Sequence, residues 1–160
     1  MTDQNESINA FWNQFKQAAG HEGNDYEALS CGDSPQMRDE LAELIFDGPK
    51  RATAGLLRDF TEGGEQMPAV GDLIIVLDGS DTPRCIWKTT EVRVKPLDKV
   101  DAQFAWDEGE GDRSLEWWMQ AHRAYFQRQA EREGFVFRDD MDVVLERFRV
   151  VWPPEAADPE

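Results

Sequence analysis

Two runs rich in β-formers, residues 73–77 and 84–94, are separated only by the short link 78–83, which contains Asp78-Gly79 and Pro83. A link that short joins antiparallel neighbours. It cannot carry the crossover of a dozen or more residues that a parallel pair requires. The pair is therefore expected to form a hairpin, which directs the chain toward a barrel or sandwich and away from a doubly wound nucleotide-binding sheet.

The rest of the chain supplies helices on either side of that hairpin. Ile8, Phe11, Trp12, Phe15 and Ala19 recur at helical spacing ahead of Gly20, giving an amphipathic first helix with an aromatic face for the core. Residues 26–30 suit a short extended segment. Ser34-Pro35 then opens a second helix, because the hydroxyl satisfies a free amide and proline has no amide to lose. Met37, Leu41, Leu44 and Ile45 line one face of that helix, and Gly48 stands where a left-handed end residue is expected. Residues 50–57 read as a turn entering a strand, and 60–67 as a polar loop. Val100, Phe104 and Ala105 mark a short helix running into the acidic loop 107–112, and a long helix begins at Ser114 and closes at Gly134. Residues 135–137 and 141–152 are expected as strands. The order of elements is α+β, organised as an N-terminal helical extension (1–22), one domain (23–152) and a disordered polar tail (153–160).

Composition bounds the class of function. With 40% hydrophobic residues, six Trp and nine Phe, the chain has enough apolar material for one core of ordinary domain size. Cys31 and Cys85 stand alone, without a CxxC or Cys/His cluster, so neither a disulfide framework nor a structural zinc site is indicated. The first nine residues lack a basic stretch followed by an apolar core. No apolar run approaches the roughly 18 residues a membrane helix needs, so a cytoplasmic protein without membrane partners is expected. Seventeen basic against 33 acidic residues give a formal net charge of −16. That charge opposes non-specific binding to a polyanion such as duplex DNA, and it leaves room for a local site taking a nucleoside or a short single strand.

Three groups of residues have chemistry to offer, each with a purely structural alternative. Lys50, one of five lysines, precedes Thr53 by three positions at the mouth of a strand. A partly desolvated amine there would activate the hydroxyl, and a solvated lysine beside a strand threonine is the plain alternative. Asp107, Glu108, Glu110 and Asp112 offer four carboxylates within six positions, suited to a general base, a hard cation or simply a solvated helix-capping turn. They do not match an EF-hand loop. Trp117, Trp118, His122, Tyr125 and Phe126 lie on one helix, where they would stack a base or face the core, and His122 on the apolar stripe reads as a hydrogen-bonded structural histidine. No Ser/His/Asp signature, Walker loop, GxGxxG or HExxH is present.

Taken together, these blocks resemble the bacterial ASCH-domain proteins. The resemblance rests on Gly32-Asp33-Ser34-Pro35, on the helix ending Leu44-Ile45-Phe46-Asp47-Gly48, on Lys50-Arg51-Ala52-Thr53-Ala54 and on Pro68-Ala69-Val70-Gly71-Asp72. It continues through Phe104-Ala105, Glu108-Gly109-Glu110-Gly111-Asp112, and Trp117 with His122, Tyr125 and Phe126, across about residues 26–150. It implies a PUA-like mixed β-barrel flanked by helices, with a cleft associated with RNA or modified nucleosides. The smaller members include an N4-acetylcytidine amidohydrolase whose Lys, Thr and Glu are similar in placement to Lys50, Thr53 and Glu108. By that similarity Thr53 would be the nucleophile, Lys50 its activator, and Glu108 the group that handles the proton or water. Arg51, Ser34, Trp118 and Tyr125 would bind substrate, with no metal or other cofactor. Longer members are linked to cleavage of single-stranded RNA, which makes an RNA-binding or RNA-cleaving domain the alternative and a non-catalytic interaction module the second. The extra N-terminal helix, Arg51 and the Glu-Gly-Glu-Gly-Asp loop distinguish this chain from the small amidohydrolases.

Overall fold

The computed structural model of the chain describes residues 2–160, with side chains from residue 4 onward. In chain order the elements are α1 (Thr2–Ala19), β1 (Glu27–Leu29), α2 (Pro35–Phe46), β2 (Ala52–Leu56), α3 (Leu57–Thr61), β3 (Leu73–Leu77) and β4 (Pro83–Pro96). A single 3₁₀ turn (Leu97–Lys99), α4 (Ala102–Glu108), α5 (Leu115–Glu133) and β5 (Asp142–Trp152) complete the chain. The strands form one mixed sheet in the order β1-β3-β4-β5-β2. β1 lies parallel to β3, whereas β3–β4 is the expected antiparallel hairpin and β2 runs antiparallel to β5. The architecture is α+β, as the order of sequence signals requires. Among the described residues no helix is long and apolar enough to cross a membrane.

The chain divides into two compact units, and β4 and β5 each contribute residues to both. One unit gathers the segment through Gly48 with Val70–Thr90 and Phe148–Glu160. In it β3 is buried on both faces. Ile75 and Leu77 meet Ile8, Trp12 and Phe15 of α1, while Ile74 and Val76 meet Ala42 and Ile45 of α2 together with Cys85, Trp87, Phe148 and Val150. That double burial is why residues 73–77 are an unbroken apolar run instead of alternating with polar residues. The indole of Trp87 stacks on the Phe148 ring at 4.0 Å and 8°. Cys31 and Cys85 form no disulfide.

Two local expectations are corrected in this unit. Gly48 does not end α2 in a left-handed conformation. The cap is Asp47 at φ −126°, and Gly48 is needed because a Cβ there would stand 2.8 Å from the Leu44 carbonyl oxygen. Residues 153–160, expected as a disordered tail, turn back on β5: Asp158 accepts a hydrogen bond from the Val150 amide at 2.8 Å and donates its own amide to the Val150 carbonyl, with Ala156 buried. Composition misses this because a single well-placed carboxylate satisfies the backbone of an edge that would otherwise face water.

The other unit comprises Pro49–Ala69 and Glu91–Arg147. Ala52 and Leu56 of β2 and Val143 and Leu145 of β5 pack against Phe104 and Ala105 of α4 and Trp118 and Phe126 of α5. By strand alternation Thr53 and Glu146, directly paired across the ladder, belong to the opposite face of these two strands. Residues 135–137 are not a strand. Phe135 lies under the Arg58 guanidinium, 3.7 Å from its ring centre, and Phe137 packs near Phe126, so these side chains plug the helical side of the core and their backbone joins no ladder.

The Trp87–Phe148 stack carries a concrete expectation. Trp87→Ala should lower stability by about 3–5 kcal/mol, read as a shift of the urea midpoint with an unchanged slope.

Candidate functional site

The second unit holds a buried group of ionisable side chains that converge from three separate segments. Lys50 comes from the turn before β2, Glu108 from the last residue of α4, Glu110 from the loop after it, and His122 from the middle of α5. Local structure delivers each. The Arg51 amide donates to the Asp107 carbonyl at 2.9 Å, which ties the Lys50 segment to the end of α4. Gly109 closes α4 in the left-handed region at φ 69°. A Cβ there would lie 2.7 Å from the Pro49 carbonyl carbon and 2.8 Å from Lys50 backbone atoms, so only glycine allows the two segments to approach so closely. Gly111 is likewise left-handed, at φ 58°, and lies flat against the Trp117 ring, where any Cβ would collide. Arg113 then clasps the loop, its guanidinium 3.7 Å from the centre of the Trp106 ring and its Nε donating to the Trp106 carbonyl. Ser114 caps α5 by accepting from the Trp117 amide, and the helical repeat places Trp118 and His122 on one face, with their rings stacked at 3.9 Å.

Lys50 Nζ donates to the Ala52 carbonyl at 2.8 Å, to Glu110 Oε2 at 2.7 Å and to Glu108 Oε2 at 3.3 Å. The indole Nε1 of Trp118 donates to Glu108 Oε1 at 3.0 Å, and His122 Nε2 lies 3.1 Å from Glu108 Oε2. Lys50 is 1% exposed and the Glu108 side chain 2%, whereas Glu110 and His122 side chains reach 11%. The other ring nitrogen of His122, Nδ1, faces the Trp118 carbonyl at 2.8 Å. A carbonyl only accepts, so Nδ1 carries a proton.

Burial tends to neutralise all these groups, and the pairings decide which of them resist. For Glu108 burial pushes upward, but the charges of His122 and Lys50 and the hydrogen bonds from Glu110 and His122 hold its carboxyl well below the usual range. For Glu110 burial dominates, and the nearby Glu108 charge adds to it against the pull of Lys50, so its carboxyl is pushed up to about 7. His122 is raised above its ordinary value; burial opposes the charged form, and the Glu108 carboxylate outweighs it. Two carboxyl groups sharing one site are thus driven apart, one ionised and one holding a proton near neutrality.

Glu108, Glu110 and His122 each offer a donor atom within 4.8 Å of the others, a spacing compatible with a cation. The Lys50 ammonium already lies against both carboxylates, so the chain supplies its own cation there.

The remaining residues singled out from sequence are distributed as follows. Thr53 is the second residue of β2, opposite Glu146, and among the described residues no hydrogen bond joins its hydroxyl to Lys50 or Glu108. Arg51 donates from Nη1 to the Lys50 carbonyl at 2.7 Å. Trp118 is 1% exposed and serves as a wall and donor for Glu108 instead of an open stacking surface. Tyr125 is partly buried, edge-on to Phe126 with its ring centre 5.7 Å away. Ser34 belongs to the first unit, where its Oγ accepts from the Met37 amide as the cap of α2. Glu108 is helical and not part of a loop. The two members that sequence reasoning did not assign to the site are Glu110, read only as one of four loop acids, and His122, read as structural. The available signal was the alternation Glu108-Gly109-Glu110 together with His122 one turn after a tryptophan. A cavity of about 350 Å³ in the same unit is lined by Glu91, Phe104, Asp107 and Arg147 among others, and none of the four clustered residues borders it.

Comparison with known proteins places this arrangement in a family. The family model for the ASCH domain matches residues 27–152, and the chain belongs to that family. The ASCH domain is a PUA-like α+β fold linked to RNA binding or hydrolysis. An ASCH domain from Lactobacillus crispatus JV V101 is similar at 35% identity and a TM-score of 0.84, covering 91% of this chain and 94% of that one. A protein from Enterococcus faecalis V583 is similar at 31% identity and a TM-score of 0.84, covering 91% and 88%. No curated protein matches the chain.

Two outcomes are expected from the cluster. Lys50→Met should cost about 3–5 kcal/mol in urea unfolding, because it strands a buried carboxylate. Stability should also fall as pH rises. A carboxyl raised from 4.5 to about 7 contributes stability that is complete below 4.5 and lost by about pH 7, and the raised His122 acts in the same direction above 6.5. The lowered Glu108 acts oppositely and only on the acid side, its contribution disappearing as pH falls below 4.5. Urea midpoints measured from pH 5 to 8 should therefore decline, and Glu110→Gln should flatten the decline.

Proposed function

We propose that the protein is a hydrolase acting on an acylated nucleoside, with an acetylcytidine-like amide as the scissile bond. The observation that carries this reading is the buried Lys50–Glu108–Glu110–His122 cluster, in a fold linked to RNA binding or hydrolysis. A carboxyl group that holds a proton near neutrality beside a permanently ionised one is the arrangement acid–base catalysis needs at neutral pH.

In this reading Thr53 supplies the nucleophilic hydroxyl. Its oxygen attacks the acyl carbonyl as the hydroxyl proton passes to a carboxylate of the cluster, and the carbon–nitrogen bond breaks as that proton moves to the departing amine. Water then cleaves the threonyl ester, its proton returning by the same carboxylate to the threonine oxygen, to release acetate and restore the hydroxyl. Lys50 donates to three oxygens at once and acts as a fixed positive charge, favouring the developing oxyanion rather than accepting the threonine proton. A small substrate is favoured over a long polyanion by the net charge of −16 and by the state of the arginines, since Arg84 faces Glu43 at 2.6 Å and Arg93 faces Glu91 at 3.1 Å.

Incubation of the purified protein with N4-acetylcytidine, followed by chromatography for cytidine and acetate, tests the reading. Turnover is expected, with Thr53→Ala at least about 100-fold slower. Undiminished turnover by Thr53→Ala would remove Thr53 as nucleophile, and no turnover by the wild type would remove the substrate class.

A further inference from the structure

We propose that Glu110, and not Glu108, is the group that exchanges a proton at this site, with Glu108 a fixed anion and His122 a positioning residue. The inference rests on the hydrolase reading for the fate of the proton but on hydrogen-bond geometry for the assignment. A carboxylate has about four acceptor positions. Glu108 uses three of them on Lys50 Nζ, His122 Nε2 and Trp118 Nε1. The Trp118 indole is a donor only, and Nε2 of a histidine whose Nδ1 is already committed to a carbonyl must bring a proton of its own if Glu108 is ionised. A proton on Glu108 has one place to point, the Nε2 of a neutral His122; the Lys50 ammonium and the indole N–H on the same carboxylate favour the state in which that proton rests on His122 and Glu108 is the anion.

Glu110 differs in each respect. It accepts from one donor, Lys50 Nζ at 2.7 Å, and one of its oxygens lies within 4.8 Å of a Glu108 oxygen, so two carboxyl groups crowd together and a proton on one of them relieves their repulsion. Its side chain is 11% exposed where that of Glu108 is 2% exposed, so of the two acids it is the one with a path to water or ligand. The charged and titratable groups facing it are Lys50 from the turn before β2, Glu108 from α4 and His122 from α5. With all four ionised the cluster holds two positive and two negative charges and is neutral; with Glu110 protonated it carries one net positive charge. Glu110 can therefore change state without creating an unbalanced buried anion.

The proton then follows a closed path. The Glu110 carboxylate takes the Thr53 hydroxyl proton as that oxygen attacks and delivers it to the amine nitrogen as the carbon–nitrogen bond breaks. It then takes a proton from the water that attacks the threonyl ester and delivers it to the departing threonine oxygen, and the starting state returns. His122 takes part only by holding the Glu108 carboxylate through Nε2, itself held by the Trp118 carbonyl.

The test uses the whole chain and reads protonation directly. Carbon-13 NMR of the glutamate side-chain carboxyls across pH 4 to 9 should show one glutamate titrating near neutrality and another ionised throughout. Glu110→Gln should delete the first signal and leave the second. Titration of Glu110 wholly in the ordinary carboxylate range, or a near-neutral signal deleted by Glu108→Gln and retained in Glu110→Gln, would overturn the proposal. Because the wild-type titration needs neither turnover nor a variant, it stands apart from the substrate reading: failure to hydrolyse N4-acetylcytidine would leave the assignment intact. Where turnover is found, Glu110→Gln should lower kcat about 10²–10⁴-fold and remove the near-neutral limb of the pH profile. A variant that folds, as judged by circular dichroism, and keeps that limb would refute the role.

Discussion

Removing a lysine ammonium from water costs several kcal/mol unless its surroundings return nearly all of the lost solvation. Lys50 meets that condition with three oxygens from three places in the chain: a carbonyl two residues ahead, the last residue of α4, and a loop residue two positions beyond that. Each oxygen constrains the segment that carries it. The turn before β2, the end of α4 and the loop leading to α5 are therefore held by a single charged group, and the arrangement of the second unit depends on it.

The loop between α4 and α5 is shaped to serve that constraint. Gly109 permits the backbone of α4 to approach Pro49 and Lys50, Gly111 permits the chain to pass flat over Trp117, and Arg113 is held at φ 66° with its guanidinium against Trp106. A left-handed arginine is strained on its own, and the ring contact and the bond to the Trp106 carbonyl offset that cost. The result is a short rigid path that turns Glu110 inward beside Glu108. Trp118 and His122, one helical turn apart, complete the enclosure from α5 with one donor each. Burial, opposite charge and hydrogen bonding then divide two chemically identical carboxyl groups into an anion and an acid.

The elements were legible where local chemistry decides them. Ser34-Pro35, Ser114 and Gly134 mark helix ends through caps that act within one turn. The unbroken apolar run of β3 and the short link to β4 announce a buried hairpin. Local signals failed where a distant partner overrode them. Gly48 looked like a left-handed cap and is instead a spacer against Leu44, Phe135 and Phe137 have strand-like composition and fill a core, and the acidic tail looked solvated until Asp158 found the Val150 backbone. Trp118 and His122 had the right spacing for a core face, and they occupy one. What spacing could not convey is that the face they meet carries Glu108.

From the sequence alone follow the α+β class, the hairpin, the helix caps and, by resemblance, the family and the nomination of Lys50, Thr53 and Glu108 as a site. These depend on neighbours within a few residues or on the order of several blocks, which a linear text preserves. Only the tertiary structure decided that Lys50 is buried and already occupied, that Glu110 and His122 join it, and that Glu108 is the more fully bonded of the two acids. The reason is physical: the charge state of a carboxyl group depends on what lies within a few ångströms of it, and here those groups come from positions 50, 108, 110 and 122, brought together by folding alone.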